Sequence, residues 1–200
     1  MHLEHDITFF VALFSVMNPL GAIPLFLAVT SGNPSKRPKV ALQAGLTTVL
    51  ILLVSYFVGD AILALFRIGM DAFRIAGSVL IAAAGWAMVM GRISTAYGEV
   101  QGSPATIPLS IPKLAGPGAI AVVIAVGQDS IWEYAVEDVV IIVLLGIIST
   151  VLMLLASPIA RVLREEGLDV ISRLFGLILL AIAIGSILTA LSHAFPGLVR

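Results

Sequence analysis

The sequence contains no cysteine, and only 12% of its residues are charged. Without cysteine, the chain can form neither a disulfide framework nor a thiolate metal site. The net charge is −1, so the chain lacks the basic surface with which proteins bind nucleic acid, and we expect no nucleic-acid partner. The H-E-x-x-H and G-x-S-x-G motifs and the Walker-type phosphate loop are also missing, and each marks a large class of enzymes. We therefore expect neither an enzyme nor a protein that needs a cofactor.

Apolar residues are abundant: they make up 60% of the chain, and the mean hydropathy is +1.11. A soluble domain has about 45–50% apolar residues, so the composition indicates that the chain lies in a lipid bilayer. Charged residues divide the sequence into six apolar segments, each able to supply the ~20 residues of a membrane-spanning helix. The segments lie between Asp6 and Lys36, between Lys39 and Asp60, between Arg74 and Arg92, at 105–127, between Asp138 and Arg161, and at 174–191. The sequence predicts an all-α membrane protein of six transmembrane helices.

Positive charge is distributed unevenly among the loops. If the N-terminus is outside, the inner loops hold most of the basic residues, namely Lys36, Arg37, Lys39, Arg92, Arg161, Arg164 and Arg173. The charged residues of the 129–138 segment are all acidic, as expected of an external loop. Arg67 and Arg74 are basic residues that this orientation also places outside, so they weaken the asymmetry. Because short cytoplasmic loops carry an excess of lysine and arginine, we expect both termini to be external.

The second half of the chain resembles the first. The segment "GMDAFRIAGSVLIAAAG" at 69–85 matches "GLDVISRLFGLILLAIAIG" at 167–185, at an offset close to a hundred residues. A similar offset separates "NPLGAIP" at 18–24 from "GPGAIAV" at 116–122. Two landmarks that agree on one offset indicate an internal repeat.

Each repeat holds three spans, so the second copy enters the membrane from the opposite side. Inverted repeats of this kind are a common plan of secondary transporters. We expect one transmembrane domain over 1–200, with repeat one at about 7–92, a connecting loop at about 93–104 and repeat two at about 105–193. A duplication without a transport role is the alternative, since folds are reused across functions.

Proline interrupts the first and fourth spans at matching positions of the two repeats. Proline suits the first position of a helix, where Asn or Gly before it serves as the cap. Asn18-Pro19 and Gly116-Pro117 therefore predict two half-helices in each span, at 7–17 and 19–30 and at 105–114 and 117–127. Simple kinks are the alternative, because proline and glycine are frequent in membrane helices.

Broken spans leave unpaired backbone groups, which must face protein or a watery cavity. Two half-helix N-termini that converge near the midplane carry partial positive charge and suit a carboxylate. Glycines there let a ligand approach the backbone closely, and the additional prolines loosen the adjacent turns. The candidate substrate-binding residues are Asn18, Pro19, Gly21, Pro24, Pro112, Gly116, Pro117 and Gly118.

Five charged residues are candidates for a gating or charge role. Lys113 lies deep in an apolar run, where it would attract a carboxylate, snorkel to the surface or complement a helix C-terminus. Asp71 with Arg74, and Asp169 with Arg173, stand one helical turn apart at the starts of the third and sixth spans. Each pair is either a gate or an ordinary ion pair at a helix start.

Small residues recur every four positions along the sixth span, at Ala181, Gly185 and Thr189. Such stripes are typical of closely packed membrane helices. We expect this face of the sixth span to pack against another helix.

At these motifs the chain resembles the MarC family, also called UPF0056, which is related to the small neutral amino acid transporters. The motifs are Asn18-Pro19-x-Gly21-x-x-Pro24, Ile107-Pro108-x-x-x-Pro112-x-x-x-Gly116-Pro117-Gly118 and Arg173-x-x-Gly176-Leu177. The resemblance covers the length and the six-span layout. Some members carry Asp in place of Asn18, so this chain has no titratable carboxylate there. The resemblance implies an inner-membrane protein of bacteria or archaea that transports small neutral amino acids.

We therefore expect a secondary transporter of glycine- or alanine-like solutes that holds the carboxylate at the two half-helix N-termini. Proton coupling is what the resemblance implies, although no residue in the sequence identifies itself as the carrier. The alternatives are an exporter or permease of another small solute or ion, and a membrane interaction protein without transport. The expected partners are the lipid bilayer and the solute. Three spans per half are few to enclose a path, which leaves a homodimer open.

Overall fold

The computed structural model describes residues 2–91, 114–129 and 134–195. These residues form helices and connecting turns, and no strand occurs among them. The helices are α1 (His2–Met17), α2 (Ile23–Val29), α3 (Arg37–Leu65), α4 (Met70–Val89), α5 (Pro117–Asp129), α6 (Ala135–Leu154) and α7 (Ala156–Ala194). A single 3₁₀ turn, Pro34–Lys36, leads into α3.

Four stretches of helix in the described ranges are long and apolar enough to cross a membrane: Pro34–Leu65, Met70–Val89, Ala135–Leu154 and Asp169–Ala194. The predicted all-α membrane class is therefore confirmed. The predicted count of six spans is not reproduced, because α1 and α5 are shorter and contribute 16 and 13 residues. Most of the connecting loop and of the half-helix at 105–114 lies outside the described residues.

Helix α3 is apolar all round, as expected of a helix in lipid. Leu42, Leu46 and Leu50 recur along its exposed face. Thr48 and Leu52 lie on the opposite face and are completely buried. Because both the buried and the exposed face of α3 are apolar, the sequence shows no helical periodicity of apolar residues. The positions of charged residues mark the ends of the spans instead.

Helices α3 and α6 run antiparallel along their whole shared length. Near the middle of the pair Gly45 faces Gly146: a methyl group on Gly45 would lie 3.3 Å from the Gly146 carbonyl oxygen and collide with Thr150. A methyl group on Gly146 would in turn collide with Val49. The two glycines let the backbones approach closely, as small residues do between membrane helices.

Helices α4 and α7 form a second antiparallel pair with a similar crossing. A methyl group on Gly85 would lie 2.7 Å from the Gly176 carbonyl oxygen, and one on Gly176 would lie 2.8 Å from the Gly85 carbonyl oxygen. At one end of the pair His193 Nδ1 lies 3.9 Å from Asp71 Oδ1. In both helix pairs, a glycine on one helix packs against a glycine on the other.

The fifth span ends before Arg161, as predicted, but the predicted loop at 161–173 before the sixth span is wrong. Helix α6 ends at Leu154, and α7 continues from Ala156 through the charged segment 161–173 without a break. Pro158 lies in the first turn of α7, where a missing N–H costs no helical hydrogen bond. The charges mark where the chain leaves the apolar core, and they are compatible with a continuing helix.

The predicted small-residue packing face of the sixth span meets no other helix of this chain among the described residues. Ala181, Gly185 and Thr189 are exposed, and a methyl group on Gly185 would meet nothing within 4 Å among the described residues. Helix α7 instead packs on α4 through Gly176, Leu179 and Ala183. The sequence pattern identifies a small-residue stripe but not the helix that it faces.

Candidate functional site

The first break in the bundle is centred on Asn18. Helix α1 ends at Met17, and Asn18 adopts a positive φ of 42°, a conformation that asparagine tolerates better than most residues. Asn18 Oδ1 accepts a hydrogen bond of 3.1 Å from the Gly21 amide. The bond resembles the one that an N-cap side chain makes, but it closes the turn at 19–22 and does not cap a helix that starts at Pro19.

The regular helix after the break begins at Ile23, not at Pro19 as predicted. Residues 19–22 form a turn in which the Ala22 amide donates to the Asn18 carbonyl at 3.2 Å. Pro24 has no N–H to offer the Leu20 carbonyl, which instead accepts a 3.2 Å bond from the Ile23 amide. The second proline therefore delays the start of α2.

The break leaves backbone groups unpaired inside the bundle. Pro19 is fully buried and has no N–H, so it cannot donate the helical bond to the Ser15 carbonyl. The Leu20 amide donates to no acceptor in the described ranges. A donor and an acceptor thus remain available within one turn of Asn18, in a region where unpaired polar groups are costly.

Gly21 is required by the position of the Asn18 side chain. A methyl group on Gly21 would overlap the Asn18 amide. The other end of that amide lies near α4, where Asn18 Nδ2 is 3.5 Å from Met88 Sδ. The spacing Asn18-Pro19-x-Gly21 therefore has a local physical reason.

The second break lies at Gly116-Pro117, and its downstream half agrees with the prediction. Helix α5 begins at Pro117, and the Gly116 carbonyl accepts the first helical bond, 3.1 Å from the Ile120 amide. Gly116 is therefore the cap residue. The upstream half, with Pro112 and Lys113, lies outside the described residues.

The two breaks meet through Gly118. A methyl group on Gly118 would lie 3.1 Å from Val16 Cγ1 and 2.7 Å from Ile81 Cγ1. Val16 belongs to the last turn of α1, and Gly118 to the first turn of α5. The structure thus brings the C-terminal end of one half-helix against the N-terminal end of another.

A cleft of about 370 Å³ runs along the seam between α1 and α5. Its wall includes Glu4 and His5 at the N-terminal end of α1, and it extends to Ala12 and Val122. Ala12 lies one helical turn before Val16, and Val122 lies one turn after Gly118, so each shares a helix face with a residue at the meeting point. The cleft therefore leads from the N-terminal end of α1 toward the meeting point of the breaks.

A buried carboxylate lies beside this cleft. Asp138, in the first turn of α6, has a fully buried side chain. Its Oδ2 accepts a hydrogen bond of 2.9 Å from the Tyr56 hydroxyl on α3, and its Oδ1 lies 3.0 Å from His5 Nε2 on α1. The His5 ring also contacts Tyr134, with centroids 5.5 Å apart. Three helices are thus joined at one ionisable group.

The other charged candidates lie away from this cleft. Asp169 Oδ2 and Arg173 Nη2 form an ion pair of 2.8 Å, in which both side chains are about half exposed. Exposed pairs of this kind add little stability. Asp71 lies near His193 on α7, and Arg74 follows one turn later on α4. The arrangement leaves the gating role of these four residues a prediction.

Four residues with cross-helix contacts were missed in the sequence: His5, Arg37, Tyr56 and Asp138. Asp138 stood out only as the boundary of a span in an acidic loop. The internal repeat was the signal that could have identified these contacts. Arg37 and Asp138 occupy equivalent positions about a hundred residues apart, and so do Tyr56 and Ser157. Arg37 contacts Ser157 just as Asp138 contacts Tyr56.

The fold and this interior define a multi-pass helical membrane protein in which the broken first span meets the start of α5. The profile of the MarC family, described as MarC family integral membrane protein, matches residues 3–195. The chain belongs to the MarC family.

Similar proteins come from bacteria and archaea. The UPF0056 membrane protein YhcE of Escherichia coli is 38% identical, over 96% of this chain and 94% of the relative. A UPF0056 membrane protein of Pyrococcus abyssi is 35% identical, over 93% and 94%. YvbG of Bacillus subtilis, also a UPF0056 membrane protein, is 32% identical, over 94% and 95%. No solved structure matches the chain.

Proposed function

We propose that this protein is a secondary transporter of small neutral amino acids of the glycine and alanine type. It lies in the inner membrane with both termini on the periplasmic side, as the distribution of basic residues favours. The observation that carries the proposal is the contact of Gly118 with Val16, at which two broken helices meet beneath the cleft. Discontinuous helices that meet at the centre of a bundle are a recurrent plan of transporter binding sites.

The backbone and the Asn18 side chain supply the ligand groups. The Leu20 amide and the first amides of α5 suit a carboxylate, since helix N-termini attract anions. The Ser15 carbonyl suits an ammonium group, as the carbonyls of unwound membrane helices do for cations. Helix α2 has only seven residues, so the turn amides and α5, and not α2, provide the positive end.

Unsatisfied polar groups elsewhere in the interior support a polar path. Thr48 Oγ1 on α3 and Ser149 Oγ on α6 are buried and have no hydrogen-bond partner in the described part of the chain. Buried polar groups are otherwise nearly always paired. The two hydroxyls stand at equivalent positions of the proposed repeats, about a hundred residues apart.

The inverted repeat is supported by reciprocal packing. Gly45 packs on Gly146 and the residue one turn later, and Gly146 does the same to Gly45. Gly45 and Gly146 are themselves about a hundred residues apart, so they stand at equivalent positions of the proposed repeats. Reciprocity of this kind is what a two-fold axis produces. We propose six spans in two inverted halves, in which one half rocks against the other to alternate access.

A homodimer is part of the proposal because α7 presents an uncovered face. Ala181, Gly185 and Thr189 form an exposed stripe of small residues. Small residues on a membrane helix allow close approach of a second helix. Cross-linking of a single cysteine at Gly185 in native membranes tests this contact.

Equilibrium binding of tritiated glycine to the purified protein in nanodiscs tests the proposed site. We expect alanine to compete and glycinamide to fail, because glycinamide lacks the carboxylate. Gly118→Val fills the meeting point and should abolish binding, whereas Gly69→Val, at an extended position before α4 where a methyl group meets nothing within 4 Å among the described residues, should retain it. Equal competition by alanine and glycinamide, or binding that survives Gly118→Val, would contradict the site.

A further inference from the structure

Asp138 is an unusual residue in a membrane bundle because its carboxyl group is completely removed from solvent. An ionised carboxylate in such a place is unfavourable unless hydrogen bonds or a cation compensate it. Ionisable groups inside membrane proteins are by default functional, and many belong to proton relays. The surroundings of Asp138 show which function it serves.

The side chains of His5 and Tyr56 each contact one oxygen of the Asp138 carboxyl group. The Tyr56 hydroxyl can only donate to a carboxylate in this geometry, at 2.9 Å from Oδ2. His5 Nε2 lies 3.0 Å from Asp138 Oδ1. A proton between these two atoms can be bound to the imidazole, as N–H, or to the carboxyl group, as O–H. Histidine is the side chain that ordinarily changes charge between about pH 5 and 8. The 3.0 Å contact therefore places one proton within reach of both His5 Nε2 and Asp138 Oδ1.

His5 connects this pair to water. Its side chain is 34% exposed and forms part of the wall of the cleft between α1 and α5. A proton from the cleft reaches His5 first, and Asp138 through the contact with Oδ1. The pair is thus buried at one end and accessible at the other, as a proton site must be.

The equivalent contact at the other end of the α3–α6 pair lacks this property. There Arg37 Nη1 donates to Ser157 Oγ at 2.7 Å. Arginine keeps its charge at every physiological pH, and serine is neutral. Of these two repeat-related contacts, only the one at Asp138 can change its charge.

We infer that His5 and Asp138 form the proton-binding site of this protein. One proton taken from the cleft converts a neutral imidazole and a carboxylate into a pair without net charge. Loss of net charge removes the cost of burying Asp138 and so stabilises the contact between α1 and α6. Proton binding thereby favours closure at this end of the bundle. The coupling role of the site rests on the proposed transport function, but proton binding itself does not.

Other titratable groups at the same end define the controls. On the helices that surround Asp138 they are Glu4 and Asp6 on α1, Asp60 on α3, Tyr134 at the start of α6, and Glu137 beside Asp138. Arg67, Asp71, Arg74 and His193 lie at the same end of the bundle, after α3, on α4 and on α7. Asp6 Oδ1 and Glu137 Oε2 are buried without a hydrogen-bond partner among the described residues. Asp60 is exposed and accepts a 2.8 Å bond from Gln128, which makes Asp60→Asn the matched control for Asp138→Asn.

Proton binding is measured first, without any substrate. The chain has three histidines, so selective ¹⁵N-histidine labelling in nanodiscs gives a short NMR spectrum in which His5→Gln assigns the His5 signal. We expect Asp138→Asn to move the midpoint of the His5 titration and Asp60→Asn to leave it in place. Tyr56→Phe, which removes the hydroxyl that donates to Oδ2, should also move the midpoint and serves if Asp138→Asn does not fold. A His5 titration that is the same in the parent, Asp138→Asn and Tyr56→Phe would overturn the inference.

Coupling is measured second, as the ratio of amino acid uptake into proteoliposomes with an inward proton gradient to uptake without it. We expect a ratio above one for the parent and for Asp60→Asn, and a fall toward one for Asp138→Asn and His5→Gln. An unchanged ratio in Asp138→Asn would refute the coupling role. If the parent takes up neither glycine nor alanine, the proposed substrate is wrong, and the titration alone decides the proton site.

Discussion

Arg37 Nη1 donates a hydrogen bond of 2.7 Å to Ser157 Oγ, and this contact fastens the first turn of α3 to the first turn of α7. Arg37 Nε also donates to Thr30 Oγ1, 3.1 Å away at the end of the first broken span. At 1.5 Å per residue, the contact lies about 28 Å along α3 from the one between Tyr56 and Asp138. A hydrocarbon core is about 30 Å thick. The two polar contacts therefore stand at opposite boundaries of the membrane, where gates of an alternating path would be.

Replacing Arg37 with leucine should loosen the end of the bundle opposite to Asp138. The change removes both donors and leaves Thr30 and Ser157 without their partner. Because the chain has no cysteine, one introduced at the buried Ser15 is a single reporter of access to the break. We expect maleimide to label Ser15→Cys several-fold faster from the cytoplasmic side in the Arg37→Leu background.

Lys39→Leu is the matched control for that change, since Lys39 is an exposed cation in the same turn of α3. Equal labelling rates in the Arg37 and Lys39 variants would show that the Arg37 contact is not a gate.

Alanine at two glycines of α7 should change the free energy of unfolding in opposite directions. In Gly176→Ala the new methyl group meets the Gly85 carbonyl oxygen and the Met88 Cβ, both at 2.8 Å, so we expect destabilisation of about 1–3 kcal/mol. In Gly185→Ala the methyl group meets nothing, and the better helix propensity should stabilise by up to about 1 kcal/mol. Thermal unfolding of the two variants in the same detergent measures the difference. Destabilisation of equal size in both would contradict the crossing.

Replacement of Asn18 should separate the backbone role of this residue from its side-chain role. Asn18→Gly keeps a residue that adopts positive φ freely but removes the bond to Gly21, and caps lose only a few tenths of a kcal/mol on this change. Asn18→Ala loses the bond and also strains the backbone, so we expect a larger loss, of about 1–2 kcal/mol. Unfolding midpoints of the purified variants test this order. A glycine variant less stable than the alanine variant would show that the positive φ is not strained.

Substitution of Thr48 by valine should leave stability unchanged or raise it while it lowers transport. The Thr48 hydroxyl is buried and has no hydrogen-bond partner in residues 2–91, 114–129 and 134–195, so an apolar side chain of similar shape removes a desolvation cost of about 1–3 kcal/mol. If the hydroxyl lines the path, solute flux falls in the same variant. Thr189→Val, on the exposed face of α7, is the control for both measurements. A Thr48→Val protein that is less stable and equally active would place the hydroxyl in the packing and not in the path.

Much of the fold could be predicted because lipid imposes simple rules on the sequence. Charges mark where helices leave the apolar core, and prolines mark where helices break. These rules correctly placed the end of α1 at Met17 and the start of α5 at Pro117. They misplaced the start of α2. Pro24 has no N–H for the Leu20 carbonyl, and the sequence does not show that the Ile23 amide bonds to this carbonyl instead. They also misplaced the loop at 161–173, because a charged segment can continue as a helix outside the core.

The buried carboxyl group could not be predicted from local pattern. Asp138 follows Glu137 in an acidic stretch, and nothing in the neighbouring residues distinguishes a surface acid from a buried one. What buries Asp138 is its contact with two helices far away in sequence, through His5 and Tyr56. The correspondence between Arg37 and Asp138 becomes meaningful only when the structure shows that both lie at ends of one antiparallel helix pair.

Uptake of radiolabelled glycine and alanine into proteoliposomes, against protein-free liposomes, tests the transport claim most directly. The parent and Gly69→Val should accumulate at least one of the two amino acids, and Gly118→Val should not, because it fills the point at which α1 and α5 meet. Absence of uptake by the parent in both directions, with folding verified by unfolding midpoint, would contradict the account of this protein as an amino acid transporter.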